Sequence, residues 1–169
     1  MLIVMSGLPG TGKSAISKGL SQALGAIHIR IDTIEQTLLD LELVEPDMGP
    51  TGYVVGYRIA LDNLRLGLTV VADSVNPIAI TRDTWCQVGE QAGMQVIEVE
   101  VICSDAAEHR RRVETREPEV KGLLLPTWDE VISREYDHWE REHLIIDTAG
   151  QSETKSVQQA IELVRGQFT

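Results

Sequence analysis

Basic charge, aromatic residues, cysteine and long apolar runs are all scarce in this chain. Its 169 residues carry 15 Lys and Arg against 26 Asp and Glu, a formal net charge of −11. A general nucleic-acid binder needs a basic surface to neutralise phosphates, so no nucleic-acid partner is expected. No stretch approaches the roughly 18 consecutive apolar residues of a membrane span. The first apolar run, Leu2–Met5, is short and has no basic segment ahead of it, so neither a secretory leader nor a membrane partner is expected. Cys86 and Cys103 lie far apart with no Cys-x-x-Cys or histidine-spaced partner. They argue against a zinc site or disulfide framework and fit two idle thiols in a reducing cytoplasm. Trp85, Trp128 and Trp139 sit at helical spacing and read as core or interface rather than as base-stacking platforms. The 43% hydrophobic share is ordinary for a globular protein, and the length suits one core, hence a single domain over 1–169.

What is present concentrates near the start. Leu2-Ile3-Val4-Met5 feeds directly into Gly7-Leu8-Pro9-Gly10-Thr11-Gly12-Lys13-Ser14, a glycine, four free positions and Gly-Lys-Ser, with Ala15 next. In such a loop the backbone N–H groups turn inward and cradle phosphate oxygens. The following helix adds its positive N-terminal end, Lys13 reaches the β- and γ-phosphates, and the Ser14 hydroxyl sits on Mg²⁺. The context agrees: the run before is β-like, and Ile16, Leu20 and Leu24 fall on one helical face after it. A nucleoside triphosphate site, ATP with Mg²⁺, is expected there.

The rest of the chain alternates β-rich runs with amphipathic helical segments. Strands are expected at 2–6, 26–31, 68–73, 95–103 and 143–147. Helices are expected near 13–25, 33–43, 53–66, 78–92, 105–115, 127–140 and 154–167. Gly25, Gly67 and Gly93 each close a helix ahead of a strand. This alternation predicts an α/β fold with a parallel sheet covered on both faces, whose ligands bind beyond the carboxyl ends of the strands. Glu45–Gly52 and Glu117–Gly122 are the two irregular stretches, where mobile binding elements sit on such scaffolds.

Two strand ends carry carboxylates. Asp73 closes Leu68–Asp73, where it can organise Mg²⁺ with Ser14 or cap the next helix. Asp32 closes the second strand, where it can accept the proton of an attacking hydroxyl. It can also cap a helix from Thr33, with Glu35 completing a capping box. Five of the 15 Lys and Arg fall between Arg110 and Lys121. Arg112 and Arg116, four apart, share one helix face and can converge on an anion, while neighbouring Glu108, Glu114 and Glu117 can pair with others of the cluster. With Pro118 and Gly122 close by, the stretch 110–126 reads as a lid over the nucleotide. Arg58 and Arg82 are candidate contacts for an acceptor, or plain surface arginines.

With these residues in place, the chain resembles the P-loop kinases of small molecules. It is closest to the zeta-toxin-like, chloramphenicol phosphotransferase-like and adenylylsulfate kinase-like branch, which shares the Gly-Leu-Pro-Gly-x-Gly-Lys-Ser style of loop. The resemblance spans essentially the whole chain and implies a three-layer fold on a five-stranded parallel sheet. It implies ATP–Mg²⁺ as phosphoryl donor, Asp32 as catalytic aspartate, Arg112 and Arg116 as lid arginines, and Thr148 of Asp147-Thr148-Ala149-Gly150 near the adenine. The acceptor it implies is a hydroxyl of a small molecule. Departures narrow the choice. Glu35 stands where polynucleotide 5′-kinases carry arginine, and the Asp-x-Asp pair and triple glycine of shikimate kinases are missing. Asp73-Ser74-Val75-Asn76-Pro77 replaces the Asp-Gly-(Phe/Tyr)-Pro-Arg of adenylate-type kinases, and Ala15 stands where a second hydroxyl often follows Gly-Lys-Ser. The competing reading is a catalytically weak ATP-binding regulator or NTPase switch acting through a protein partner. Asp147-x-x-Gly150 matches a GTPase switch motif, but the guanine signature Asn-Lys-x-Asp is missing.

Overall fold

The aliphatic runs form five strands: β1 Leu2–Ser6, β2 Ile27–Arg30, β3 Val70–Asp73, β4 Val96–Ile102 and β5 Leu144–Asp147. The computed structural model describes residues 1–45 and 47–167; Pro46, inside the first expected loop, and positions 168 and 169 lie outside the described residues. All strand pairings are parallel, in the order β2-β3-β1-β4-β5. The helices are α1 Lys13–Leu24, α2 Ile31–Asp40, α3 Thr51–Arg65, α4 Ala79–Gln91, α5 Ala106–Thr115, α6 Trp128–Ile132 and α7 Glu153–Arg165. No helix among the described residues is long and apolar enough to cross a membrane.

β1 reads as an unbroken apolar run because both of its faces are covered. Leu2 and Val4 pack with Ala60 and Leu64 of α3 and Trp85 of α4. Ile3 and Met5 face the other way, onto Ile16 and Leu20 of α1 and Ala160 and Val164 of α7. The β1–β3 register pairs Met5 with Asp73, and the β2–β3 register pairs Arg30 with Asp73. Three strand ends therefore meet at one edge of the sheet, where the glycine loop leaves β1.

The structure departs from expectation at two helices. The helix expected over 127–140 closes at Ile132, although Thr127 and Glu130 form a full capping box at its start. The strand behind it explains this. One face of β4 carries Glu98 and Glu100, and the chain beyond Ser133 is irregular and reaches them. Arg141 ion-pairs with Glu98 and Asp83, and His143 Nε2 lies 3.2 Å from Glu100. The Asp137 N–H donates to the Pro77 carbonyl at 2.7 Å, and its carboxylate accepts from the Ala79 N–H at 2.7 Å. These contacts replace a helical ladder whose propensity is only a weak prior.

The second departure is α2, which starts at Ile31 rather than Thr33. Arg30 takes the N-cap position without a side-chain cap bond, and Asp32 falls inside the first turn. The capping box expected between Asp32 and Glu35 therefore does not form.

The turn after β3 hangs on Asn76, which is fully buried with φ 48°. Its amide donates to the Met5 carbonyl at 2.9 Å and accepts from the Trp85 indole N–H at 3.1 Å. Asn also tolerates the left-handed backbone better than most residues. Asn76→Ala strands two buried polar partners, so urea unfolding should show a loss of about 2–4 kcal/mol. A loss under about 0.5 kcal/mol would contradict this reading.

Candidate functional site

The loop Gly7–Ser14 keeps its shape through glycines. Gly10 and Gly12 have φ of 87° and 92°, and a Cβ on Gly10 would lie 2.5 Å from a Val113 methyl of α5. The loop is anchored on both sides. The His109 Nε2–H, on α5, donates to the Pro9 carbonyl at 2.9 Å, and the buried Thr148 hydroxyl lies 2.8 Å from the Thr11 carbonyl. Gly12 is the N-cap of α1 and makes no side-chain cap bond, so the loop and the first turn present backbone N–H groups suited to an anion.

Lys13 and Asp73 form the buried centre. Lys13 Nζ is 2.7 Å from Asp73 Oδ1, and the Asp73 side chain is 1% exposed. On its other oxygen, Oδ2, His28 Nε2 stands at 3.5 Å and Arg30 Nε at 4.0 Å, both from β2. Burial alone would raise the Asp73 carboxyl, but Lys13, His28 and Arg30 outweigh it and hold the group well below the usual carboxylate range. Asp73 makes none of the N-cap bonds weighed from the sequence: α4 is capped at Ile78 without a side chain.

A cleft of about 400 Å³ opens beside this pair. Leu8, Pro9, Gly10, Gly12, Lys13, Ser14 and Ala15 line one wall. Asp32, Glu35, Arg112, Arg116 and Arg134 approach from the others. Because Asp32 caps no helix, its carboxylate faces the cleft, 3.5 Å from Arg30 Nη2. Glu35, one turn further along α2, is pushed up to about 7 by burial and by the Asp32 charge, against a smaller pull from Arg134. Arg116 directly follows α5; its Nε is buried without a hydrogen-bond partner, and burial draws its guanidinium below the ordinary value although it stays a cation. Neither Arg116 nor Arg134 has an ion-pair partner within 4 Å among the described residues.

Arg112 separates this cleft from a second cavity of about 360 Å³. Its guanidinium donates to the Thr148 hydroxyl at 2.7 Å, the Thr148 carbonyl at 2.9 Å and Glu108 at 2.6 Å. Gly12, Ala15, Thr148, Gln151 and Ser156 help to line the second cavity. The Arg110–Glu114 pair at 2.8 Å and the Arg112–Glu108 pair account for two of the acid–base pairings read from the cluster.

Arg58 and Arg82 are not brought to the cleft. Arg58 is exposed on α3. Arg82 is 2% exposed, donates to the Asp137 carbonyl at 3.0 Å and lies under the Trp139 ring at 4.4 Å. Its cation holds the irregular stretch after α6. Trp85 is core, as read from its spacing, while Trp128 packs edge-on against His109 at 5.1 Å.

Arg30, Glu35, Arg134 and Glu119 were not singled out as site residues from the sequence. Glu119 accepts from Lys18 at 2.7 Å and Arg30 at 2.6 Å, tying the stretch after α5 to α1 and β2. The alternation His28-x-Arg30 toward one strand face was a usable signal for Arg30, and the one-turn spacing from Asp32 for Glu35. Arg134 comes from irregular chain and carried none.

The donor set also bears on a metal. Among the described residues no cluster of three His, Cys, Asp or Glu could hold one. Asp73 Oδ2 is a buried oxygen without a hydrogen-bond partner, and Ser14 adds a hydroxyl at the cleft. Hard oxygens this few fit Mg²⁺ carried in with phosphate and water, not a resident ion in a protein cage.

Comparison with known proteins shows the family and the fold. The family model for an AAA domain (AAA_33) matches residues 2–122, well over half of the chain and the whole phosphate loop. The chain belongs to this AAA-domain P-loop family. Among solved structures, this AAA-domain chain is similar to the APS kinase CysC of Mycobacterium tuberculosis, in complex with AMPPNP and APS. The TM-score is 0.69 at 18% identity, covering 97% of this chain and 96% of that one. A gluconokinase from Sinorhizobium meliloti 1021 gives a TM-score of 0.63 at 18% identity, covering 99% and 97%. Kti12 of Chaetomium thermophilum, in complex with ADP-AlF3, gives 0.66 at 17% identity, covering 100% of each chain. These likenesses show a P-loop kinase-like fold. No curated protein matches the sequence.

The raised Glu35 acid has a thermodynamic consequence. A folded-state value near 7 against an ordinary 4.5 means stability present below about pH 4.5 is lost as pH climbs through 7. Glu35→Gln removes that loss. The variant should match the wild type near pH 5 and exceed it at pH 8 by about 1 kcal/mol after solvent screening, roughly 2–4 °C in Tm. Equal Tm differences at both pH values would contradict it.

Proposed function

We propose that the protein transfers the γ-phosphoryl group of ATP to a hydroxyl of a small molecule. One observation carries the reading: the phosphate loop and Lys13 line the same cleft as Asp32 and Arg116, which has no ion-pair partner among the described residues. A switch that only binds and hydrolyses nucleotide has no need of that arrangement. The kinase-like fold of the neighbours supports it.

In this account the loop N–H groups and Lys13 hold the β- and γ-phosphates. Lys13 is already poised by Asp73, and exchanges part of that contact for phosphate oxygen. Ser14 and Asp73 would hold Mg²⁺, which would supply positive charge against the phosphates. Thr148, Ala15 and the second cavity take the nucleoside end, with Arg112 between the two compartments. The acceptor oxygen attacks the γ-phosphorus, its proton passes to Asp32, and the bond to the β–γ bridging oxygen breaks with ADP leaving. Arg116, with Arg112, balances charge on the transferring group. The stretch 110–126, docked through Arg112 on Thr148 and through Glu119 on Lys18 and Arg30, stands as a closed lid that excludes water, and 1–169 works as one domain.

Lys13→Ala should abolish transfer and weaken nucleotide binding at least tenfold by calorimetry. Asp32→Asn should lower kcat by about 10²–10⁴ with nucleotide affinity retained. Glu35→Gln should keep kcat within about tenfold at pH 7. If Glu35→Gln loses activity and Asp32→Asn keeps it, the proton acceptor is Glu35 and the assignment here is overturned. ATP hydrolysis that no acceptor fraction stimulates would favour the regulatory binder instead.

A further inference from the structure

The cleft that Asp32 lines is polar only in part. Leu8 from the phosphate loop, Val75 from the turn after β3, and Leu123, Leu124, Leu125 and Pro126 from the chain after α5 line it as well. Leu124 is 91% exposed while lining the cleft. In a chain with net charge −11, exposed Leu124 flanked by half-buried Leu123, Leu125 and Pro126 is an apolar patch on the cleft.

The run is held in position. Glu119, just before it, is fixed by Lys18 and Arg30 at 2.7 and 2.6 Å. Gly122 has φ 86°, and a Cβ there would lie 3.0 Å from the Gln36 amide of α2, so the backbone sits directly against that helix. Thr127 then anchors the far end through its capping box. Held at Glu119 and against α2 at Gly122, the leucines line the same cleft as Asp32 and Glu35. A wholly polar acceptor, a sugar or sugar acid, would leave this patch wet and unused.

Resting on the phosphotransfer reading above, we infer that the acceptor is an amphipathic alcohol: a hydroxyl presented to Asp32 on a body with a substantial apolar face, aliphatic or aromatic, that covers Leu124 and its neighbours. Binding then draws on apolar area removed from water, and the polar corner of Asp32, Glu35 and Arg134 orients the reacting end.

The test incubates the full chain with γ-labelled ATP, Mg²⁺ and a small-molecule cell extract split on a reversed-phase column into retained and flow-through fractions. Label is expected on a compound of the retained fraction. For that compound Leu124→Ser should raise KM about tenfold, and Leu124→Met should recover most of the loss. Leu124 is a surface side chain, so folding survives either change. Label appearing only on flow-through compounds overturns this inference and leaves the kinase reading standing. A retained acceptor whose KM is indifferent to Leu124→Ser also overturns it. Label released only as inorganic phosphate from every fraction overturns both.

Discussion

The buried contact between Lys13 and Asp73 is the constraint around which the site is arranged. Neither charge is tolerable alone in the interior: removing one partner of such a pair costs about 3–5 kcal/mol because the other is left uncompensated. The strand order answers this requirement. Placing β3 between β1 and β2 sets the Asp73 carboxylate beneath the phosphate loop on one side and beside His28 and Arg30 on the other. One carboxylate therefore organises the loop lysine, the end of the second strand and, through Arg30, the Glu119 tether of the stretch after α5. Charge brought to the loop as phosphate acts on a lysine already in position, so little reorganisation is needed when it binds.

From that centre the molecule divides the work between two compartments. Arg112 stands between them, fixed by Thr148 and Glu108, and Thr148 in turn touches the carbonyl of Thr11. The loop, α5 and the turn after β5 thus form one hydrogen-bonded unit. The second cavity mixes small residues, Gly12, Ala15 and Ser156, with the charged Glu108, Arg111, Arg112 and Glu153. The other side mixes ionisable groups with leucine, and its residues come largely from the phosphate loop and from the irregular chain after α5, with Asp32 and Glu35 from α2. That irregular chain is free to differ between proteins that share the sheet, which is why a common fold carries no common acceptor.

The sheet and its loop were legible because their signals are local. A four-residue aliphatic run before a Gly-rich turn, and glycines closing helices ahead of strands, need no knowledge of the rest of the chain. All five strands fall within the expected ranges. What failed to show was decided by partners distant in sequence. The stretch after Ile132 has helical spacing, yet Glu98 and Asp83 claim Arg141 across more than 40 residues and the stretch is irregular. Arg82 looked available for a ligand because nothing nearby in sequence says that Asp137 and Trp139 will enclose it. Asp32 had two readings, cap or cleft carboxylate. The early start of α2, itself set by the pairing of Arg30 with Asp73, gives it the cleft.

Phosphorus NMR of the protein with ATP, Mg²⁺ and unfractionated cell extract tests the central claim most directly, because it follows the γ-phosphorus itself. The account predicts a new phosphomonoester resonance growing in step with ADP. Inorganic phosphate growing in its place, or ATP left intact in every extract, would contradict it.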